Sequence, residues 1–197
     1  MSISSKTKLV TEYGDLDVAY HESSNGFCVT LSKGDLKDGP IVRIQSSCLF
    51  SEAFHSIDCD CNLQLSNSIR LISENGNGVI VYLYQEGRGH GLDKKIKAME
   101  VMNTKGYDTA EAFEHLNYEP DPRDYTMVID ALGDLGIVGK IKLISNNPRK
   151  IDALEKSGFV VERSVLTYPI SSKIRGYLKS KKEKLGHKID WIDKLYD

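Results

Sequence analysis

The sequence predicts an α/β (mixed α+β) fold: a layered mixed sheet with flanking helices and a strand-rich N-terminal part. Three observations carry that expectation. From residue 40 onward, short apolar runs alternate with helix-period segments, the pattern of β-α-β units with mainly parallel pairing. The first forty residues hold only strand-like runs separated by turns, which adds an antiparallel layer. A hydrophobic fraction of 40% and a charged fraction of 27% over 197 residues suit one domain with an ordinary core.

KLVTEYG, DLDVAYH and GFCVTLS read as the first strands, and PIVRIQS runs straight into Cys48. Asn62 to Asn75 read as a helix with Leu65, Ile69 and Ile72 on one face. GVIVYLYQ (Gly78 to Gln85) is a strongly apolar strand that ends in EGRGHG. A second helix carries Leu92, Ile96, Met99 and Met102 at helical spacing, and a third covers Tyr125 to Leu135. After the strand KIKLIS, Asn147 is an N-cap, Pro148 the first helical residue and Gly158 the stop. FVVERSVL is the last strand, and KIRGYLKSKKEKLG reads as a basic helix with a solvated or dimer-facing surface. Ligands in such sheets sit at the C-terminal ends of strands. IQSSC, YQEGRG and ISNNPRK all fall at those ends.

Composition narrows the function. A net charge of −2 does not indicate a general nucleic-acid surface. No run approaches the ~20 apolar residues of a membrane span. MSISSKTKLV has no apolar stretch of the kind a secretory signal needs, so a cytoplasmic location is expected. Cys28 sits in a strand and reads as a buried free thiol.

Cys48, Cys59 and Cys61 are spaced C-x10-C-x-C. Three soft ligands leave a metal position open to a water that the metal can activate. The alternative is a closed structural zinc knot completed by His55 or an Asp. EGRGHG can bring backbone N–H groups and the planar fork of Arg88 to a phosphate, or serve as an ordinary turn. SNNPRK combines a helix N-terminus with Arg149 and Lys150, an anion site or a well-capped helix. In EPDPRDYT, Asp121 and Arg123 sit in a loop stiffened by Pro120 and Pro122; read alone they are a prepaired acid and base or a surface ion pair. Together the four segments point to hydrolysis of a phosphorylated small molecule.

Seven strings, VRIQSSC, CDCNLQL, YQEGRG, GYDTAEA, DPRDYT, SNNPRK and YLKSKKEKLGH, occur in the order and near-constant spacing of one family. Through them the chain resembles GTP cyclohydrolase II, with the resemblance covering about 40–187. The resemblance implies a single domain of that family over 1–197 and one Zn²⁺ per chain on Cys48, Cys59 and Cys61. It implies Asp121 and Arg123 as catalytic residues. Nucleotide contacts carry over to Arg43, Ser46, Gln64, Glu86, Gly87, Arg88, Thr109, Ser145 and Lys150. The implied activity is hydrolytic opening of the imidazole ring of GTP at C8, with formate released, and loss of pyrophosphate with Mg²⁺ on the triphosphate, in riboflavin synthesis. A homodimer is also implied; from charge and hydropathy, no nucleic-acid or membrane partner is expected. The family's arginine is assigned as a nucleophile at the α-phosphorus; a guanidinium is protonated at ordinary pH, whereas an electrostatic clamp needs no deprotonation.

The departures from the family fall on the base-binding side. Ser47 stands where the family has an acidic residue, Asp58 precedes Cys59, Asn62 follows Cys61, Tyr84 replaces an Arg and Phe113 replaces an Asn. In KIKAME, Met99 or Glu100 falls where the family has its catalytic Tyr. Loss of that hydroxyl predicts arrest at the formylaminopyrimidine product, unless Tyr84 or Tyr107 replaces it. Two other readings stay open: a cyclohydrolase acting on a different nucleotide, and a zinc- and nucleotide-binding protein without catalysis.

Overall fold

The structure, a computed structural model, describes residues 2–24, 26–169, 172–189 and 191; the rest of the expected 1–197 domain lies outside the described residues. Among these, seven strands form one sheet: β1 (Ser2–Thr11), β2 (Gly14–Ser23), β3 (Gly26–Lys33), β4 (Ile41–Ser46), β5 (Gly78–Leu83), β6 (Lys140–Ile144) and β7 (Val160–Ser164), in the order β1-β2-β3-β5-β4-β6-β7. β5, β4, β6 and β7 pair in parallel, and β1, β2 and β3 continue the sheet antiparallel from β5. The strand-rich N-terminal part expected from sequence thus extends the parallel sheet edgewise as its antiparallel portion. The physical reason is β3, whose register from Cys28↔Leu83 to Lys33↔Gly78 caps the open edge of β5.

The helices are α1 (Leu49–Glu52), α2 (Cys61–Asn75), α3 (Leu92–Lys105), α4 (Thr109–His115), α5 (Thr126–Asp134), α6 (Pro148–Lys156) and α7 (Ser172–Leu185). α1 and α4 are additions to the elements expected from sequence. Among the described residues, no helix is long and apolar enough to cross a membrane.

Strand alternation divides the core between two faces. Val42, Ile44, Val79, Val81, Leu83, Ile141 and Leu143 pack with Val128, Ala131 and Leu132 of α5 and Leu154 of α6. Ile41, Ile80 and Ile144 point to the other face and meet Ile72, Leu65 and Ile69 of α2. Burial on both faces makes these strands near-continuous apolar runs. Each fully buried Val, Leu or Ile contributes about 1.5–3 kcal/mol. Buried His21 ties the antiparallel part to α5, with Nδ1 3.0 Å from Asp134 Oδ2 and Nε2 2.9 Å from Thr30 Oγ1.

α2, the helix after β4, covers one face, whereas α5 and α6, which flank β6, cover the other. The connections leave β4 and β6 in opposite directions, so a crevice opens at their C-terminal ends. The loops after β4, β5 and β6 meet there.

Candidate active site and metal centre

Each loop at the crevice has a local cause. Cys48 is the N-cap of α1, and Cys59 and Cys61 flank the start of α2. Their sulfurs lie within 4.8 Å of one another, with Cys48–Cys59 at 3.7 Å and Cys59–Cys61 at 3.5 Å. Three thiolates on one tetrahedral zinc, with Zn–S near 2.3 Å, stand about 3.8 Å apart, so the cluster fits zinc in ligand type and spacing. Among the described residues no His, Asp or Glu joins the group, and His55 is exposed. The arrangement is therefore three-ligand, facing the cavity. Hydrogen bonds with Cys59 and Cys61, then the Lys95 ammonium, hold the Cys48 thiol well below its ordinary value. Lys95 Nζ lies 3.3 Å from Cys48 Sγ and 2.7 Å from Glu86 Oε1.

The turn after β5 is held open by backbone conformation. Gly87 has φ 58° and Arg88 has φ 57° in a 3₁₀ turn over Glu86–Gly89. A Cβ on Gly87 would meet Lys95 Cβ at 3.0 Å, so glycine is required there both for the left-handed backbone and for the approach of α3. Glu86 accepts the N–H of Leu49 at 2.7 Å through Oε2, which fastens this turn to the cysteine loop. Arg88 reaches across and donates to the carbonyl of Pro120 at 3.2 Å.

Asp121 and Arg123 form a two-point pair, Nε to Oδ1 and Nη2 to Oδ2, each at 2.7 Å. Burial opposes the Asp121 charge, but the hydrogen bond and charge of Arg123, with Arg149 beyond, hold its carboxyl below the ordinary range. Arg123 is shifted up despite burial, because Asp121 favours its charged form. The SNNPRK loop brings Ser145, whose Oγ accepts the N–H of Asn147 at 3.1 Å, and Lys150, which donates to the carbonyl of Ile44 at 2.8 Å. Asn147 caps α6 as expected, accepting the N–H of Arg149 at 2.9 Å. Thr109 opens α4 behind an Asp108–Glu111 capping box.

One cavity takes in almost all of the sequence-expected site. It is lined by the three cysteines, by Arg43, Ser46 and Gln64, by Glu86, Gly87 and Arg88, and by Thr109, Arg123, Ser145 and Lys150. Asp121 is the exception: it lines a second pocket with Arg149 and His187. Arg43 is largely committed to the framework, bonding Gln45, Gln64 and the carbonyl of Ile144. Ser46 Oγ, Gln85 Oε1 and Asn146 Oδ1 are buried without a hydrogen-bond partner among the described residues, and all three residues line the cavity. Such orphaned groups mark where a polar ligand completes the bonding.

The two residues that the resemblance set at the family's Tyr position, Met99 and Glu100, are placed differently. Met99 lines the cavity beside Ala98, Met102 and Phe113, while Glu100 is exposed. Tyr84 is 57% exposed against Phe27, and Tyr107 packs on His115; neither lines the cavity. Tyr168 and Tyr177 do, and the Tyr168 hydroxyl donates to buried Asp60 at 2.6 Å.

Sequence reasoning missed Lys95, Asp60, Tyr168 and the whole contribution of α7. The basic helix is neither a plain solvated face nor one directed only at a partner: Tyr177, Leu178, Lys181 and Leu185 line the cavity. Tyr177 and Lys181 are one turn apart on the apolar side of α7, with Lys181 Nζ 4.2 Å from the Tyr177 ring centre; that i,i+4 spacing beside Ile174 and Leu178 was the available signal.

The sequence model of the family described as GTP cyclohydrolase II matches residues 2–166. A riboflavin biosynthesis protein RibBA from Staphylococcus epidermidis is 41% identical over 192 residues, covering 96% of this chain and 48% of that protein. A GTP cyclohydrolase-2 from Shewanella amazonensis is 43% identical over 186 residues, covering 92% and 90%. A solved two-domain 3,4-dihydroxy-2-butanone 4-phosphate synthase from A. baumannii, RibBX, aligns with TM-score 0.49 and 20% identity over 85% of this chain and 40% of that one. The chain spans about half the length of the RibBA relatives that it matches. Since the family match takes in the cysteine cluster, the Gly87–Arg88 turn and the Asp121–Arg123 pair, the chain belongs to the GTP cyclohydrolase II family.

Proposed function

We propose that this protein opens the imidazole ring of GTP at C8 and releases pyrophosphate, as a hydrolase acting on a cyclic amidine. One observation carries the reading: the three-cysteine cluster and Arg123 face a single cavity whose other walls carry Arg88 and Lys150. That cavity can hold a base at one end and a polyphosphate at the other.

Cys48, Cys59 and Cys61 would hold zinc, which when bound lowers the pKa of a water and polarises the atom attacked. Lys95 steadies Cys48, and Glu86 fixes Lys95. Arg123 stays a cation through its pairing with Asp121, which supports a clamp on charge developing at the α-phosphate rather than a nucleophile. Burial and the neighbouring Arg43 and Arg123 disfavour the charged form of buried Lys150, and an entering anion would favour it. Mg²⁺ arrives with the triphosphate. Four unpaired cysteines suit a reducing, cytoplasmic setting. Assembly as a homodimer is the expectation that family membership brings.

Met99 favours a second reading for the last step, in which formate stays on the pyrimidine. Products of the zinc-loaded protein with Mg²⁺ and each nucleoside triphosphate, resolved by LC–MS, test both. Ring-opened guanosine monophosphate product and pyrophosphate are expected from GTP. Conversion of another nucleotide alone, or of none, defeats the proposal.

A further inference from the structure

The residues from α7 to Ile189 are docked on the site at three places. Ile174, Leu178 and Ile189 pack with Leu63 of α2. Ser180 Oγ donates to Asp108 Oδ2 at 3.0 Å, and Lys184 pairs with Asp108 and, at 2.7 Å, with Glu111, at the start of α4. The N–H of Lys188 donates to the carbonyl of Asn146 at 2.9 Å, in the loop after β6. Between these anchors the N–H of His187 donates to the carbonyl of Lys181 at 3.2 Å, which folds the chain back at the end of α7. His187 thereby lines both the site cavity and the second pocket, which Asp121 also lines.

The charges around His187 come from four elements. Lys181 belongs to α7, Lys150 to α6, Arg123 to the loop before α5 and Arg88 to the turn after β5; all line the same cavity. Glu119, Asp121 and Arg149 border the second pocket. Of the acids there, Asp121 is spent on Arg123 and Arg149. Burial, then Lys181, Lys150, Arg123 and Arg88, push the imidazole down to about 3. At neutral pH the ring is thus an uncharged group within a cationic wall. An entering anion of several charges offsets those cations, gives the ring an acceptor and favours its protonated form. Anion binding and protonation are then linked, each strengthening the other.

We propose that residues 172–189 are an anion-binding arm of the site and that His187 takes up a proton as a polyphosphate enters, joining Lys150, Lys181, Arg88 and Arg123 around it. The inference rests on the GTP reading only for the choice of a polyphosphate as ligand. Its sign is definite: uptake occurs between the free and bound values of the imidazole, so affinity rises as pH falls through the bound value.

The test is calorimetry of the zinc-loaded full chain with inorganic magnesium triphosphate, at about pH 6.5 in two buffers of different ionisation enthalpy. His187→Asn keeps a donor but cannot take a proton; it should bind about tenfold more weakly, the loss of one charge-assisted hydrogen bond. It should also take up fewer protons than the unaltered protein. His187→Gln, checked by thermal melting, repeats the result if Asn disturbs the turn. Lys179→Gln removes an α7 charge that is 70% exposed and paired with Glu183, and should bind as the unaltered protein does. Unchanged affinity and proton uptake in both His187 variants overturn the inference, as does the absence of triphosphate binding. GTP opening with His187-independent triphosphate binding defeats the inference alone; His187-dependent uptake without ring opening of GTP defeats the proposed activity alone.

Discussion

Arg123 holds both oxygens of Asp121 through two parallel hydrogen bonds of 2.7 Å. Only the arginine lines the main cavity; the carboxylate lines the second pocket. The pair is therefore directional: Asp121 orients a planar cation whose outer edge is left for a ligand. Arg149, which donates to the backbone carbonyls of Asp121 and Arg123, locks the same loop from α6.

Replacing Arg123 with Lys keeps the charge and removes the fork. Pyrophosphate release from GTP should fall about 10²-fold, the usual effect of losing an oriented transition-state donor. Zinc content should not change. A Lys variant within a few-fold of the unaltered rate sinks the clamp assignment.

Asp121→Asn leaves Arg123 without its partner anion. With the pair 14% and 8% exposed, a loss of about 1–3 kcal/mol is expected, smaller than for a fully dry pair. The native carboxyl lies below its ordinary value, so its stabilisation is complete above the ordinary carboxylate range and is lost as pH falls through the lowered value. Melting temperatures of the Asn variant should lose that acid-side dependence. A difference between the two proteins that stays constant down to strongly acidic pH contradicts the ion pair.

The cysteines should separate by role. Cys59→Ser and Cys61→Ser each remove a proposed zinc ligand and should abolish stoichiometric zinc, measured by elemental analysis. Cys28→Ala should keep it, since Cys28 lies in the core and its thiol is pushed up to about 11, chiefly by burial. Chelation should expose Cys48, Cys59 and Cys61 to a thiol reagent while Cys28 stays protected. Full zinc in Cys59→Ser overturns the ligand assignment.

Gly87→Ala tests the turn after β5. Its left-handed backbone and the 3.0 Å approach of Lys95 Cβ predict a cost of about 1–2 kcal/mol. Lys95 contacts Cys48, so zinc retention should weaken as well. An unchanged melting temperature means that the loop relaxes and the tight approach is not required.

Much of this site was legible because chemistry sits where buried strands end. Val79–Leu83 reads as a strand from its unbroken apolar run, and the loop leaving such a strand in a parallel sheet faces the crevice. The pairing of β3 with β5 was not legible, since it joins Cys28 to Leu83 across a long sequence separation. α1 has four residues and no side-chain cap bond at Cys48, too little for any periodic signal. α4 did carry one in the Asp108–Glu111 capping box, but its seven residues hold barely two turns. α7 was recognisable as a helix, yet lysine-rich faces are ordinarily solvated. Nothing in the local sequence around His187 reports Lys150, Arg123 and Arg88, because those come from distant segments.

Met99 and Tyr177 both line the cavity, and the extent of the proposed reaction can be tested on them. Met99 gives the cavity a thioether beside Ala98 and Met102, with no proton to donate. Tyr177 lines the same cavity; burial pushes its phenol up to about 12, with Lys181 pulling the other way and Cys61 and Cys59 adding to the rise. At neutral pH it is therefore a protonated donor near the cysteine end. If it serves the step that frees formate, Tyr177→Phe should leave pyrophosphate release within a few-fold and lower formate release by ~10²-fold or more, the typical share of a general acid. Met99→Tyr should then restore part of that loss by adding a hydroxyl to the same cavity. The measurement is the ratio of formate to pyrophosphate, followed in one reaction for each protein. Equal ratios in the unaltered and Tyr177→Phe proteins, both near one, remove Tyr177 from the chemistry. A ratio near zero in the unaltered protein that rises in Met99→Tyr identifies Met99 as the cause of arrest at the formylated product.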